Sequence, residues 1–244
     1  MEIRDHYKQK ETVRSAKVLI WEPGRETVGR QIPVLSEHLL EIRVNGAVTV
    51  NVVCVAEHLT DLILGRLLTE GFISGVKDVE SVEICRSGAI AEVVLRNGDP
   101  EVRPLRPVGS LQWEPRWVLD LAEEFEKDTP LHMGTRSTHS CFLALRGELV
   151  TCCEDIGRHN AMDKAVGYCL THDIDPGQVL VYSSGRIPMD MAVKAIRAGI
   201  PVVATKEAAT YEAAELAAQY GLTLVCNAKR GRMNIYPPAD ICRI

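Results

Sequence analysis

From Thr138 to Cys226 short apolar runs alternate with longer amphipathic ones, and this rhythm restricts the fold more than any other feature of the chain. A strand over 141–145 turns at Arg146-Gly147-Glu148 into a second over 149–153. Then come a helix over 160–171, a strand over 178–183, a helix over 189–198, a strand over 201–205, a helix over 208–220 and a strand over 222–226. Apolar strand runs between helical stripes predict an α/β architecture, with a largely parallel sheet covered by helices on both faces.

The preceding half reads differently. Residues 1–16 are polar and predict a weakly ordered arm, followed by a strand over 17–21 and a loop through Pro23 and Gly24. Leu40, Ile42 and Val44 alternate with polar residues, Asn45-Gly46 intervenes, and Val48, Val50 and Val52 alternate again, which is the signature of a hairpin with a type I′ turn. Over 57–70, Leu59, Leu62, Ile63 and Leu67 share a helical face that Gly71 is suited to end. Two further strands, over 79–85 and 89–95, meet at Arg86-Ser87-Gly88. Between Asn97 and Pro115 stand four prolines and two glycines, a linker composition. Pro115 suits the first turn of a helix with Val118, Leu121, Ala122 and Phe125 on its buried side. The expected division is a smaller strand-rich part over 1–112 and an α/β part over 113–244.

Composition narrows the function classes. The net charge of -5, with 28 basic and 33 acidic residues interspersed, lacks the concentrated positive charge that a long nucleic-acid backbone requires. No apolar run approaches the roughly 20 residues that span a bilayer and the N-terminus carries no export signal, so a cytoplasmic protein away from membranes is expected. Its eight cysteines are then expected as free thiols.

Ligands of such sheets collect beyond the carboxyl ends of strands. The stretch from Cys152 to Gly167 places two thiols, two carboxylates, Arg158 and His159 around a strand-to-helix turn. Its residues also have structural uses: Asp155 or Asn160 as helix cap, Arg158 paired with Glu154, the cysteines as small core residues. Ser183-Ser184-Gly185-Arg186 ends another strand with hydroxyls, a glycine and an arginine fork, a candidate phosphate seat. In Thr135-Arg136-Ser137-Thr138-His139-Ser140-Cys141 an imidazole stands close to a thiol it could assist, although a lone histidine is more often only hydrogen-bonded. Cys226-Asn227-Ala228-Lys229-Arg230-Gly231-Arg232 offers three cations after the last strand. No Cys-x-x-Cys, zinc-deaminase, G-x-G-x-x-G or Walker A pattern occurs, so zinc, dinucleotide and P-loop chemistries lose support and no bound metal is expected.

Taken with Ser184-Gly185-Arg186, Arg230, Asn234-Ile235-Tyr236, Glu41 to Gly46 and Leu64 to Gly71, the run Glu154-Asp155-Ile156-Gly157-Arg158-His159-Asn160-Ala161-Met162-Asp163-Lys164 resembles the formate dehydrogenase accessory sulfurtransferases, the FdhD/NarQ family. The resemblance covers most of the chain. It implies a C-terminal αβα sandwich like that of cytidine deaminases without their zinc chemistry, and a homodimer. It also implies a substrate, the molybdenum bis-guanine-dinucleotide cofactor, to which the protein passes sulfur from a cysteine desulfurase, through a cysteine persulfide, before the cofactor enters formate dehydrogenase. Guanine nucleotide phosphates would then fall to Arg158, His159, Ser184, Gly185, Arg186 and the stretch Cys226, Asn227, Ala228, Lys229, Arg230, Gly231.

The chain departs from the family pattern in two places. The usual Cys-x-x-Cys loop has no counterpart between Pro107 and Glu126, which hold no cysteine, and the glycine pair after Thr135 is replaced by Arg136 and Ser137. The candidate sulfur-handling residues are therefore Cys153 first, then Cys141, with His139 beside them. The alternative is a cofactor or guanine-nucleotide carrier without sulfur transfer.

Overall fold

The computed structural model describes residues 1–9, 11–96, 98, 101–127 and 129–238, leaving aside the side chains of 47–49. Asn97 and Pro100 of the expected linker, and Cys242, lie outside the described residues, as does the side chain of Val48.

The first half is built on a five-stranded sheet in the order β1-β6-β7-β4-β5. Its strands are β1 (Glu2–Asp5), β4 (His38–Val44), β5 (Ala47–Cys54), β6 (Val79–Ile84) and β7 (Ile90–Leu95). Asn45 and Gly46 both take positive φ, 52° and 83°, as the expected type I′ hairpin between β4 and β5 demands. A separate ribbon pairs β2 (Val13–Ile20) with β3 (Val28–Leu35).

The start of the chain is therefore not the loose arm that its polarity suggested. β1 joins the sheet edge parallel to β6 although all four of its residues are exposed. Backbone pairing needs no apolar alternation, so hydropathy carried no trace of it.

The second half has a six-stranded sheet in the order β13-β12-β11-β10-β8-β9. It contains β8 (His139–Leu145), β9 (Glu148–Asp155), β10 (Val179–Ser183), β11 (Val202–Thr205), β12 (Thr223–Lys229) and β13 (Arg232–Tyr236). Only β10, β11 and β12 run parallel; β8 pairs antiparallel with β10, β9 with β8, and β13 with β12. The expected parallel sheet thus shrinks to its centre, because the β8–β9 hairpin adds two antiparallel strands at one side and an unforeseen β13 closes the other.

Alternation along these strands divides the core. Cys141, Leu143, Val179, Val181, Val203 and Leu224 pack on the side of α4 (Arg158–Thr171), α5 (Met189–Ala198) and α6 (Tyr211–Tyr220). Phe142, Ala144, Leu180, Tyr182, Ala204 and Val225 face α2 (Pro115–Glu126) on the other side. A short α3 (Pro130–Thr135), absent from the sequence reading, bridges α2 to β8.

The two sheets share one core across α1 (Leu59–Thr69), which lies on α4. Leu59, Leu62, Ile63, Leu64, Leu67 and Leu68 of α1 are all buried, more than the single face expected, because a helix between a sheet and another helix is enclosed on nearly every side. The helices cross at Gly65 and Gly167, where a Cβ on either glycine would lie 1.8 Å from a backbone oxygen of the other helix.

Candidate functional site

The stretch from Glu154 to Lys164 turns out to hold the fold together. The Asp155 carboxylate is fully buried and accepts from the Val55 amide at 3.1 Å, from Asn160 Nδ2 at 2.8 Å and from Lys164 Nζ at 2.7 Å. Lys164, also fully buried, donates further to the carbonyls of Val55 and Glu154, each at 3.0 Å. Asp163 gathers Thr69 Oγ1 at 2.6 Å, Lys194 Nζ at 2.8 and 3.0 Å, and Arg66 at 3.3 Å. These bonds join α4 to β5, α1 and α5, so every buried charge of the crossing is paired. Asn160 serves this network rather than capping α4, whose N-cap Gly157 has no side-chain cap.

Glu154 faces the other way. Its carboxylate accepts from Thr129 Oγ1, Thr138 Oγ1 and the amides of Leu131 and His132, between 2.6 and 3.0 Å. It thereby holds the first turn of α3, where free amides and a partial positive charge favour a carboxylate. Glu154 is not the partner of Arg158 that local spacing suggested.

Beyond the carboxyl ends of β10, β11 and β12, on the α2 side, lies a cleft of about 540 Å³. Three tied loops form its floor. Ser184 Oγ accepts the Ser140 amide at 3.0 Å and meets His139 Nδ1 at 2.9 Å. Thr205 Oγ1 donates to the Gly185 carbonyl at 2.7 Å and accepts the Glu207 amide at 3.0 Å, and the Asn227 amide donates to the Glu207 carbonyl at 2.7 Å. Since Ser184 Oγ already accepts one proton, its own hydroxyl is free to donate to His139 Nδ1. Burial, then the charges of Arg158, His132 and Lys206, hold the His139 imidazole below its ordinary value of 6.5, so the ring is neutral at neutral pH.

An aromatic wall completes the cleft. The Phe125 and Tyr182 rings stand 5.5 Å apart, Lys206 Nζ lies 5.0 Å from the Phe125 centroid, and the Tyr182 hydroxyl donates to the Ala228 carbonyl at 2.7 Å. Arg136, Lys229 and Arg230 add positive charge to the lining, and Glu126 and Glu207 add two carboxylates. Cations, hydroxyls and a flat aromatic surface suit an anionic ligand that carries a planar group.

Of the residues singled out from sequence, His139, Ser184, Lys229 and Arg230 line this cleft. Gly185 stands behind it, packed under Arg158: a Cβ there would meet Arg158 Cδ at 2.8 Å. The Arg158 Nε is buried with no hydrogen-bond partner among the described residues. Arg186 is exposed and does not reach the lining. His159 belongs to a separate cavity between α1, α4 and α5, where its Nε2 lies 3.3 Å from Asp190. Cys226 and Ala228 are buried strand residues, while Asn227, Arg230 and Gly231 take positive φ where β12 bulges and turns into β13.

Neither sulfur candidate reaches the cleft. Cys141 and Cys153 are opposite one another on β8 and β9 and sit in the core beneath α4, 0% and 2% exposed. Burial pushes both thiols up, Cys153 to about 12 and Cys141 well above its ordinary value, which suppresses the thiolate that sulfur exchange uses. His139 consequently faces Ser184 rather than a thiol. Cys85, at the β6–β7 turn, is the one described thiol shifted the other way: partial burial raises it, but the Ser87 hydroxyl and the amides of Ile90, Ser87 and Ala89 outweigh that and lower it.

Sequence reasoning missed Phe125, Glu126, His132, Tyr182, Lys206 and Glu207 as lining, and left Arg136, Thr138 and Ser140 unassigned within a stretch it had noticed. Lys206 and Glu207 follow β11 just as Ser184 follows β10, so the strand-end rule applied to every parallel strand would have found them. Phe125 read only as part of a buried helix face, and His132 carried no local signal.

A family model described as the FdhD/NarQ family matches residues 35–106 and 94–242. The chain is 28% identical over 231 residues to a protein named sulfur carrier protein FdhD from Listeria monocytogenes serotype 4b, covering 83% of this chain and 88% of the relative. It is 30% identical over 212 residues to one of the same name from Thermoplasma acidophilum, covering 72% of each. A crystal structure described as a formate dehydrogenase accessory protein from Desulfotalea psychrophila superposes with a TM-score of 0.82 over 94% of this chain and 99% of the other, at 24% identity.

Proposed function

The chain belongs to the FdhD/NarQ family, and from that premise we propose that it is an accessory sulfur carrier for formate dehydrogenase. In this reading it receives sulfur from a cysteine desulfurase and takes the molybdenum bis-guanine-dinucleotide cofactor as substrate, and it acts as a homodimer in the cytoplasm. No helix among the described residues is long and apolar enough to cross a membrane.

The observation that carries the reading is the cleft, which joins Ser184, His139 and surrounding cations to the Phe125 and Tyr182 rings. Phosphates would be held by Arg136, Lys206, Arg230 and the Ser184 hydroxyl, and a nucleobase by the aromatic wall. Arg158 fits the same role, since its buried Nε has no partner of its own among the described residues. The sulfur step would proceed by thiolate attack on the outer sulfur of the donor's persulfide. A new S–S bond forms on the carrier, the donor leaves as thiolate, and no net oxidation occurs.

The burial of Cys141 and Cys153 favours a second reading, in which the protein holds and delivers the cofactor without relaying sulfur. Calorimetric titration of the full chain with GDP tests the cleft: GDP should bind, and Lys206→Ala should weaken it by about 1.5–3 kcal/mol, the range for a hydrogen bond to a charged group. Absence of GDP binding would defeat both readings. Incubation with a cysteine desulfurase and cysteine, followed by mass spectrometry of tryptic peptides, separates them: sulfane sulfur on a cysteine supports the relay, and none supports the carrier.

A further inference from the structure

Glu207 is out of keeping with its surroundings. It is partly buried in a cleft lined by Arg136, Lys206, Lys229 and Arg230 and by one other carboxylate, Glu126, and its side chain makes no hydrogen bond or ion pair among the described residues. Its backbone is pinned on both sides, by the Thr205 hydroxyl at 3.0 Å and by the Asn227 amide at 2.7 Å, so the carboxylate is presented from a rigid loop. The nearest hydroxyl of the aromatic wall, that of Tyr182, is already committed to the Ala228 carbonyl. Its oxygens are not shut off from water, so they stay free to accept from a ligand, and they repel phosphate. Its partner must therefore be a donor-bearing, uncharged part of the ligand.

Position says which part. Glu207 belongs to the Phe125 and Tyr182 side of the cleft, where it is close enough to the Tyr182 phenol that, after burial and together with Glu126, it raises that group above its usual range, whereas Lys206 reaches both this side and the His139 imidazole. The hydroxyl and imidazole pair of Ser184 and His139 marks the other end, beside Arg136 and Arg158. A flat ring stacked on Phe125 would present its edge to Glu207.

We propose that Glu207 is the base-reading residue of the cleft, accepting the adjacent N1–H and N2–H donors of a guanine through its two carboxylate oxygens. The assignment rests on the nucleotide reading above and deepens it. Adenine carries an acceptor at N1 and no amino group at C2, so it would set acceptor against acceptor and leave the carboxylate unpaired. A site built around such hydrogen bonds rejects the analogue that lacks the donors.

The test is calorimetric titration of the full chain, wild type and Glu207→Gln, with GDP, ADP and 2′,3′-dideoxy-GDP. Wild type should prefer GDP to ADP, and dideoxy-GDP should bind like GDP. Glu207→Gln, nearly identical in shape, should weaken GDP by roughly 10- to 100-fold while leaving ADP unchanged or tightening it, since the amide can donate to adenine N1, so that the preference collapses. If the variant keeps its preference for GDP, or if Glu126→Gln alone abolishes it, Glu207 does not read the base even though the nucleotide reading stands. Loss of the sugar hydroxyls weakening binding as much as Glu207→Gln would transfer the contact to the ribose and overturn the proposal. Failure of the wild type to bind either nucleotide would remove the nucleotide reading, and Glu207's role with it.

Discussion

Replacing Gly65 by alanine should destabilise the protein through contact between two backbones. At the crossing of α1 and α4 a Cβ on Gly65 would lie 1.8 Å from the Asp163 carbonyl oxygen and 2.8 Å from the Gly167 amide nitrogen. Such contacts are essentially never shorter than 3.0 Å, so the helices must part by about 1.2 Å. Overpacking typically costs about 1–3 kcal/mol, and the upper end applies because neither obstacle is a side chain that can turn away. The helix-propensity gain of alanine over glycine returns about 1 kcal/mol, leaving a net loss of about 2 kcal/mol. At about 2–4 °C per kcal/mol for a chain of this size, the melting midpoint should fall by about 4–8 °C. Gly134→Ala in α3 is the counterpart, because nothing lies within 4 Å of its Cβ position and the same propensity gain should leave stability unchanged or raised. Scanning calorimetry and urea titration read both. A midpoint for Gly65→Ala at or above wild type would refute the close crossing.

Other outcomes follow from the same contacts. Lys164→Met leaves the fully buried Asp155 without its cation and should cost about 3–5 kcal/mol by urea titration, whereas an unchanged midpoint would mean that the pair is not buried as described. Timed alkylation with peptide mapping near pH 7.5 should label Cys85 well before Cys141 and Cys153, and early labelling of either core thiol would contradict their burial. The His139 imidazole is held below 6.5 in the folded chain, so on acidification the unfolded state takes up the proton first. Its contribution to stability is complete above about 6.5 and is lost as pH falls through that value toward the folded one. His139→Gln should therefore shrink the difference in melting midpoint between pH 7.5 and 5.5, and an identical difference in both proteins would exclude His139 as the titrating group.

Much of this architecture was legible because it rests on periodicity. The alternation after Thr138 gave the α/β class, and Asn45-Gly46 gave the hairpin, since positive φ at two successive residues suits few others. Strand direction was less accessible: β8 and β10 are apolar runs separated by a hairpin and a helix, and hydropathy does not distinguish an antiparallel neighbour from a parallel one. β1 and β13 join their sheets by backbone bonds beside exposed side chains, so they left almost no pattern.

The cleft was harder to see for a related reason. Its residues come from α2, α3, β8 and the ends of three parallel strands, and only tertiary packing makes Phe125, His132 and Glu207 neighbours. The most specific stretch of sequence, around Asp155 and Lys164, proved to be an internal brace, because a buried charge needs partners at defined distances and so demands particular residue types. The brace nevertheless reaches the cleft. Glu154 takes the opposite side of β9 from that buried network and fastens α3 through the Leu131 and His132 amides, and α3 brings His132 and Arg136 to the lining. A sequence run can thus be indispensable to a site while lining almost none of it, and here, Arg158 apart, the chemistry lies one hydrogen-bond shell beyond the motif that announces it.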